Sequence, residues 1–132
     1  DPRELKDALD RIPDPEIVIQ RAASDLGRDL RVYVIGRRII AAMLRVSETD
    51  FRSNFCLGGR ACIYDLDDDE RRMVEDIISL FDFGLVGIDF IFHKGKPVFN
   101  EIEDVVGSRM LFAHTDINIV SEYLDFILGK MH

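Results

Sequence analysis

The sequence lacks the features that mark several large classes of protein. Its 132 residues contain only two cysteines, Cys56 and Cys62, without the accompanying histidine or cysteine spacing of a metal site. No uncharged apolar run approaches the roughly 18 residues of a membrane span, and the first residues lack the basic start and apolar run of a secretion signal. These absences predict a cytoplasmic protein with reduced thiols and no membrane partner.

An excess of basic residues is also missing. The formal net charge is -8, from 25 acidic and 17 basic side chains. A general nucleic-acid binder presents a basic face, so we expect no nucleic-acid partner. The arginines crowd into the first half of the chain, whereas an acidic run covers residues 65–70. This uneven charge is compatible with a divided cleft, and a solvated surface would show the same count.

What the sequence does have is enough apolar residues, 47%, for one small core, so residues 1–132 are interpreted as a single domain. Hydrophobic spacing and turn residues predict the elements in its first half. These are a helix over 2–11, a strand over 16–20, a polar loop over 24–28, a hairpin of strands 30–35 and 38–44 that turns at Gly36-Arg37, and a loop over 46–62.

The second half predicts two more helices and another hairpin. A helix begins at the acidic run and ends at Gly84; its apolar stripe is Met73, Ile77, Leu80 and Phe81, widened by Val74 and Ile78. Strands over 85–92 and 97–103 follow, then a loop over 104–114 and a last helix capped by Thr115, with Ile117, Val120, Leu124, Ile127 and Leu128 as its apolar stripe. Adjacent strands in this order predict an α+β fold with packed helices and a mainly antiparallel sheet.

Three acidic residues stand out in the second predicted hairpin. Asp89 lies within an apolar run, on the strand face opposite to the main apolar side chains. On the return strand Glu101 and Glu103 are two positions apart, so they point the same way and share their face with Phe99. The hairpin therefore carries more acid than packing alone would select.

The length of the turn decides whether these carboxylates meet. A three-residue turn centred on Gly95 places Asp89 across from Glu101 and brings Glu103 beside them, whereas a two-residue turn pairs Asp89 with Asn100 and separates the three. Glycine suits the left-handed position of the longer turn, so we expect convergence. Opposed like charges destabilise a sheet, and a divalent cation such as Mg²⁺ removes that cost. A solvated acidic strand face is the alternative.

An ordered set of short motifs resembles the RimK-like branch of the ATP-grasp superfamily, which includes glutamate ligases and amino-carrier-protein ligases. The set consists of Asp29-Leu30-Arg31, Ala41-Ala42-Met43, Asp50-Phe51-Arg52-Ser53-Asn54 followed by Gly58-Gly59, Val86-Gly87-Ile88-Asp89, and Glu101-Ile102-Glu103. The resemblance runs from about Ile17 to the last helix. It implies that the chain is the C-terminal lobe of an ATP-grasp domain.

The resemblance also implies roles for individual residues. Gln20, Arg21 and Ala22 would lie on the strand whose backbone meets the adenine, with Asp29 near the nucleotide. Arg52, Ser53 and Asn54 would contact the ATP phosphates, and Arg52 would neutralise charge that develops during transfer. Asp89, Glu101 and Glu103 would hold Mg²⁺ or Mn²⁺.

The implied reaction activates a carboxylate with the γ-phosphate of ATP and joins it to an amine through an acyl-phosphate. The expected partners are therefore small-molecule carboxylate and amine substrates or a protein tail, and a homo-oligomer is possible. Two alternatives belong to other classes: a nucleotide-binding module without ligase activity, and an interaction domain whose acidic strand face is only surface.

Several positions depart from the family pattern. The third metal position is usually asparagine followed shortly by Pro-Gly, and here Glu103 precedes 104–109 without that pair. Arg21 stands where many relatives are acidic. Arg109 either faces an anionic substrate or forms a structural ion pair. The N-terminal substrate domain and the glycine-rich lobe of these enzymes are not in the sequence, so we expect residues 1–132 alone to make no product.

Overall fold

The computed structural model describes residues 1–13, 16–47 and 60–131. Its elements, in chain order, are α1 (Pro2–Leu9), β1 (Asp25–Ile35), β2 (Arg38–Val46), β3 (Arg60–Ile63), α2 (Asp68–Ser79), β4 (Leu85–His93), β5 (Lys96–Glu103), α3 (Arg109–His114) and α4 (Ile119–Lys130). The strands form one antiparallel sheet in the order β3-β2-β1-β4-β5. The predicted α+β fold is confirmed.

Both faces of the sheet carry a core. On the first, which we call the α2 face, strand residues such as Leu30, Val32 and Phe90 pack against Val74 and Ile78 of α2. On the second, the α4 face, apolar strand residues pack against α3 and α4; this cluster contains Tyr33, Ile35, Met43, Met110, Leu111 and Ile119. Because successive strand residues point to opposite faces, β1 supplies alternate side chains to both cores.

The two predicted hairpins are present. Ile35 pairs with Arg38 across the two-residue turn at Gly36-Arg37, where Gly36 has a φ of 58°, a value that favours glycine.

Asp67 caps α2: its side chain accepts from the backbone of Asp69 and Glu70, and Glu70 bonds back to the Asp67 N–H. The acidic run therefore begins a helix, as predicted.

Other predicted elements were wrong. Residues 16–20 form no strand, and Ile17, Val18 and Ile19 are exposed. Side chains that favour a strand do not make one without a paired neighbour. Within the predicted loop over 46–62, Arg60–Ile63 pairs with β2 as a strand. Asp25–Arg28, predicted to be loop, belongs to β1.

Both predicted helix stripes also need correction. α2 ends at Ser79, before Gly84, so Leu80 and Phe81 lie beyond it and are exposed. Thr115 does not begin the last helix; it ends α3, a helix that fell within the predicted loop over 104–114, and Asn118 caps α4. On α4 the buried residue is Ile119, while Val120, Leu124 and Leu128 are each more than half exposed.

In the part of the chain that the structure describes, none of the helices is long and apolar enough to span a bilayer.

Candidate functional site

The β4–β5 hairpin places the acidic residues by a route that the sequence did not suggest. Its turn has two residues, not three: His93 pairs with Lys96, and both Lys94 (φ 53°) and Gly95 (φ 77°) are left-handed. The register then shifts by one residue, so that Asn100 is unpaired and Asp89 lies opposite Glu101. The predicted pairing is correct, and the predicted turn length was wrong.

The shift in register also changes which side chains share a face. Phe99 pairs with Phe90, and the two rings meet edge to face with centroids 6.3 Å apart on the α2 side. After the bulge, Glu101 and Glu103 face the α4 side with Asp89. The prediction that Phe99 and the two glutamates share a face was therefore wrong, and all three carboxylates still project from one face.

Arg31 of β1 is the principal partner of the Asp89 carboxylate. Its Nε donates to Asp89 Oδ1 at 2.7 Å and its Nη2 donates to Oδ2 at 2.6 Å, which is a bidentate ion pair between directly paired residues. The same Nη2 contacts Glu103 Oε2. The Arg31 and Asp89 side chains are only 11% and 7% exposed, so each needs the other to offset the loss of water.

A second arginine extends this network across the sheet. Arg45 of β2 pairs through its Nε with Asp29 of β1, and its Nη2 donates to Asp89 Oδ2 at 3.0 Å. Asp89 thus accepts hydrogen bonds from two guanidinium groups on two different strands. We call Asp29, Arg31, Arg45, Asp89 and Glu103 the charged network; it occupies the part of the α4 face beyond the apolar cluster.

The network shifts the pKa of Arg31. Burial by itself lowers the pKa of the Arg31 guanidinium, but the hydrogen bonds and charge of Asp89, with the charge of Glu103, raise it overall. Arg31 is therefore a permanent cation. Burial has the opposite effect on the neighbouring Tyr33 and raises the pKa of its hydroxyl. This hydroxyl donates to the Gly107 carbonyl oxygen at 2.9 Å and connects the loop after β5 to the sheet.

Gly87 makes room for this arrangement. A Cβ at this position would lie 2.8 Å from Val106 Cγ2 and 3.4 Å from both Cδ and Nε of Arg31. Gly87 pairs with Glu103 across the hairpin, so the absence of a side chain leaves the space through which the Arg31 side chain reaches both acids.

The donor chemistry of the three acids suits a hard divalent cation, which prefers carboxylate oxygen. Asp89 and Glu103 are engaged by Arg31, and Glu101 is exposed beside them. Among the described residues, no three His, Cys, Asp or Glu side chains are gathered closely enough to hold a metal ion as they stand. The three acids have the ligand atoms that such an ion prefers and project from one face of the sheet. In this structure, Asp89 and Glu103 are paired with Arg31.

The residues predicted to contact the nucleotide lie in three different parts of the chain. Gln20, Arg21 and Ala22 are exposed in a segment without helix or strand, so their predicted place on a strand was wrong, and their contact with adenine stays a prediction. Asp29 lies within the charged network. Arg52, Ser53 and Asn54 lie outside the residues that the structure describes.

The two arginines of the network were missed as site residues. A signal existed for one of them: Asp29 and Arg31 are two apart on a strand otherwise rich in buried residues, so they share a face, and two charges there require partners. Asp29 meets Arg45 across the β1–β2 hairpin, whereas the partner of Arg31 lies on β4, 58 positions away in sequence.

Comparison with known proteins now bears on this site. The family model of the RimK-like ATP-grasp domain matches residues 1–127. The chain belongs to the RimK-like ATP-grasp family. The resemblance inferred from the short motifs is therefore confirmed.

Curated relatives of this family member include a probable alpha-L-glutamate ligase 2 of Hahella chejuensis (strain KCTC 2396), 31% identical over 103 residues, which covers 77% of this chain and 34% of that protein. A probable alpha-L-glutamate ligase of Xanthomonas oryzae pv. oryzae (strain MAFF 311018) is 38% identical over 82 residues, with 61% and 28% covered. The chain thus spans about a third of the length of the Hahella protein.

Solved structures of the ATP-grasp ligase PsnB share the fold. The complex of PsnB with a minimal precursor, Mg and ADP aligns with a TM-score of 0.63 at 22% identity over 80% of this chain and 34% of PsnB. The complex with a phosphomimetic variant of the precursor, Mg and ADP aligns with a TM-score of 0.64 at 19% identity over 84% of this chain and 34% of PsnB.

Proposed function

We propose that this chain forms the Mg·ATP-binding part of an ATP-dependent carboxylate–amine ligase. The observation that carries the proposal is the projection of Asp89, Glu101 and Glu103 from one face of the β4–β5 hairpin, in a member of the RimK-like ATP-grasp family. The names of the glutamate-ligase relatives and the presence of Mg and ADP in PsnB support it.

In this proposal the three carboxylates hold Mg²⁺ or Mn²⁺. Asp89 and Glu101 are opposed across the hairpin, and Glu103 follows two positions along the same strand face, so a cation between them offsets their mutual repulsion. The bound ion would neutralise charge on the phosphates of ATP. Asp29, and the backbone over residues 20–22, would lie beside the nucleotide.

The proposed reaction has two steps. A substrate carboxylate oxygen attacks the γ-phosphorus of ATP, ADP leaves, and an acyl-phosphate forms. An amine then attacks the acyl carbon, phosphate leaves, the nitrogen loses a proton, and an amide or peptide bond results. Arg52 would stabilise the transferring phosphoryl group, with Ser53 and Asn54 holding it in place. The acid and amine are small molecules or a protein tail, and the cytoplasm supplies the ATP.

A nucleotide-binding module without ligase activity is the second candidate. Glu103 occupies the position where the family pattern has asparagine, and its Oε2 is engaged by Arg31. The loop over 104–109 lacks the expected Pro-Gly. Under this alternative the protein binds Mg·ATP and forms no amide.

The test is a ligation assay with the full-length protein, ATP, Mg²⁺ and a panel of amino acids and acceptor peptides. We expect ADP release that depends on both substrates, with the amide product detected by mass spectrometry. Glu101→Gln should abolish turnover. Glu122→Gln is the matched control, because Glu122 pairs with Arg38 elsewhere on the fold, and it should keep wild-type turnover.

Two outcomes would count against the proposal. Nucleotide binding with no amide from any substrate pair would favour the binding module. Unchanged turnover in Glu101→Gln would remove the assigned metal site.

A further inference from the structure

Arg31 already provides the positive charge that two of the proposed metal ligands need. Its Nη2 contacts both Asp89 Oδ2 and Glu103 Oε2, and its Nε holds the other Asp89 oxygen. A guanidinium therefore bridges the two carboxylates from opposite strands of the hairpin. Both oxygens of Asp89 and Oε2 of Glu103 are thus engaged, so a divalent cation shared by the two acids would meet Arg31 at Asp89 at least.

The lone pairs of Asp89 are nearly all used. A carboxylate offers about four acceptor sites. Oδ1 accepts from Arg31 Nε at 2.7 Å, while Oδ2 accepts from Arg31 Nη2 at 2.6 Å and from Arg45 Nη2 at 3.0 Å. Because Asp89 is also 5% exposed, little of it remains open to a second cation approaching from solvent.

We propose that Arg31 competes with the divalent cation for Asp89 and Glu103, so that metal binding requires the Arg31 guanidinium to leave them. This inference rests on the proposed function, because it assumes that these acids are metal ligands. A divalent cation at Asp89 would stand beside the Arg31 and Arg45 guanidinium groups that already donate to it, and these positive charges repel strongly in a poorly solvated site. Arg31 keeps the two acids paired when no metal is bound.

The competition has a consequence for the order of binding. The Arg31 charge is released when the metal displaces it, and an anion such as a nucleotide phosphate can then neutralise it. Metal alone should therefore bind weakly, and metal together with nucleotide should bind tightly.

The experiment measures binding of Mn²⁺ alone to the full-length protein by electron paramagnetic resonance. Arg31→Met keeps much of the length of the side chain and removes its charge, so we expect Mn²⁺ to bind on the order of tenfold more tightly than to wild type. Arg38→Met is the matched control. It removes an arginine that pairs with Glu122 outside the network, and it should leave Mn²⁺ affinity unchanged.

A folded Arg31→Met variant that binds Mn²⁺ no more tightly than wild type would overturn the inference. If Glu101→Gln at the same time weakens Mn²⁺ binding, the metal site stands and only the competition is wrong. If neither Glu101→Gln nor Asp89→Asn changes Mn²⁺ binding, the metal site falls and the inference falls with it.

A second measurement needs no variant and covers the case in which Arg31→Met fails to fold. The Nε–Hε signal of Arg31 in the wild-type NMR spectrum should shift and lose protection from solvent exchange as Mg²⁺ is added. The Nε–Hε signal of Arg72, which donates to the Asp68 carbonyl oxygen outside the charged network, serves as an internal reference. An Arg31 signal that is unchanged at high Mg²⁺ would contradict the competition.

Discussion

The Asp89 carboxylate is held by charge from two strands, and its removal leaves two cations without their shared partner. Arg31 and Arg45 both donate to it, and it has few contacts with solvent. Losing one partner of a buried ion pair is costly because the remaining charges stay desolvated. The network is therefore a structural feature of the free protein as well as a candidate ligand site.

Asp89→Asn should lower the free energy of unfolding by about 3 kcal/mol, since the neutral amide cannot balance Arg31 and Arg45. Chemical denaturation measures the change. Asp82→Asn is the matched control: Asp82 is largely exposed and lies 3.9 Å from Arg37, so we expect a change within about 0.5 kcal/mol. Equal effects of the two variants would contradict the assigned network.

Asp25 anchors the β4–β5 turn from outside the hairpin. Its carboxylate accepts from the Ser24 hydroxyl and from the Gly95 N–H, both at 2.7 Å. The Ser24 hydrogen bond, followed by that of Gly95, lowers the pKa of Asp25. Because the folded pKa is depressed, this contribution to stability is present above the unfolded pKa and is lost as the pH falls through the folded value.

Ser24→Ala should raise the pKa of Asp25 towards its ordinary value. The amide shift of Gly95, followed by NMR through acid titration, should then have its midpoint at a higher pH than in wild type. Ser79→Ala is the control, since the Ser79 hydroxyl donates to the Asp76 carbonyl oxygen far from this turn. An unchanged Gly95 midpoint in Ser24→Ala would show that Ser24 does not set this pKa.

At the scale of elements, the β4–β5 hairpin depends on two features that compensate each other. The tight turn at Lys94-Gly95 sets one register, and the bulge at Asn100 moves it by one residue. Lys94 carries a left-handed backbone conformation that asparagine and glycine adopt more readily than lysine.

Lys94→Asn should therefore stabilise the protein by about 0.5 kcal/mol, because asparagine followed by glycine suits this turn type. Thermal denaturation checks the gain. Lys96→Asn should give none, since Lys96 is the first paired residue of β5 and is outside the left-handed positions. A loss of stability in Lys94→Asn would contradict the turn assignment.

The last helix packs through a different stripe from the one its hydrophobic spacing predicts. Ile119 is fully buried, and Tyr123 and Phe126 pack beside it against the sheet. A ring carbon of Phe126 lies 2.5 Å from where a Cβ would stand at Gly36, so the ring occupies the space that a side chain at this position would need. Leu128 faces away from the core.

Ile119→Ala should cost about 2–4 kcal/mol of unfolding free energy, since it leaves a cavity in a closed core. Leu128→Ala, at a residue 55% exposed, should change stability by about 0.5 kcal/mol or less. Chemical denaturation of both variants decides between the two stripes. Equal losses, or a greater loss in Leu128→Ala, would support the predicted stripe.

At the scale of the whole molecule, the features predictable from sequence are those set by neighbouring residues. Gly36-Arg37, Gly95 and the acidic start of α2 are local signals. The first turn and the start of α2 formed where predicted, and the second turn formed one residue shorter. The predictions of a strand over 16–20 and of a loop over the β3 residues were wrong, because strand formation depends on a paired neighbour. Turn residues revealed both hairpins without revealing the order of the strands.

The residues of the candidate site likewise differ in how far their contacts reach along the sequence. Asp89 and Glu101 belong to one hairpin, and their predicted pairing is correct because the bulge at Asn100 offsets the error in turn length. Arg31 and Asp89 are separated by 58 positions, and they meet because β1 lies between β2 and β4 in the sheet. The charged network therefore depends on strand order, which no short stretch of sequence specifies.

The most direct test of the proposed site is the Mg²⁺ dependence of ADP binding to the full-length protein, measured by isothermal titration calorimetry. Wild type and Glu122→Gln should bind ADP more tightly when Mg²⁺ is present. Asp89→Asn and Glu101→Gln should lose most of that enhancement while remaining folded. If both folded variants keep the full Mg²⁺ enhancement, the carboxylates of the β4–β5 hairpin do not hold the metal.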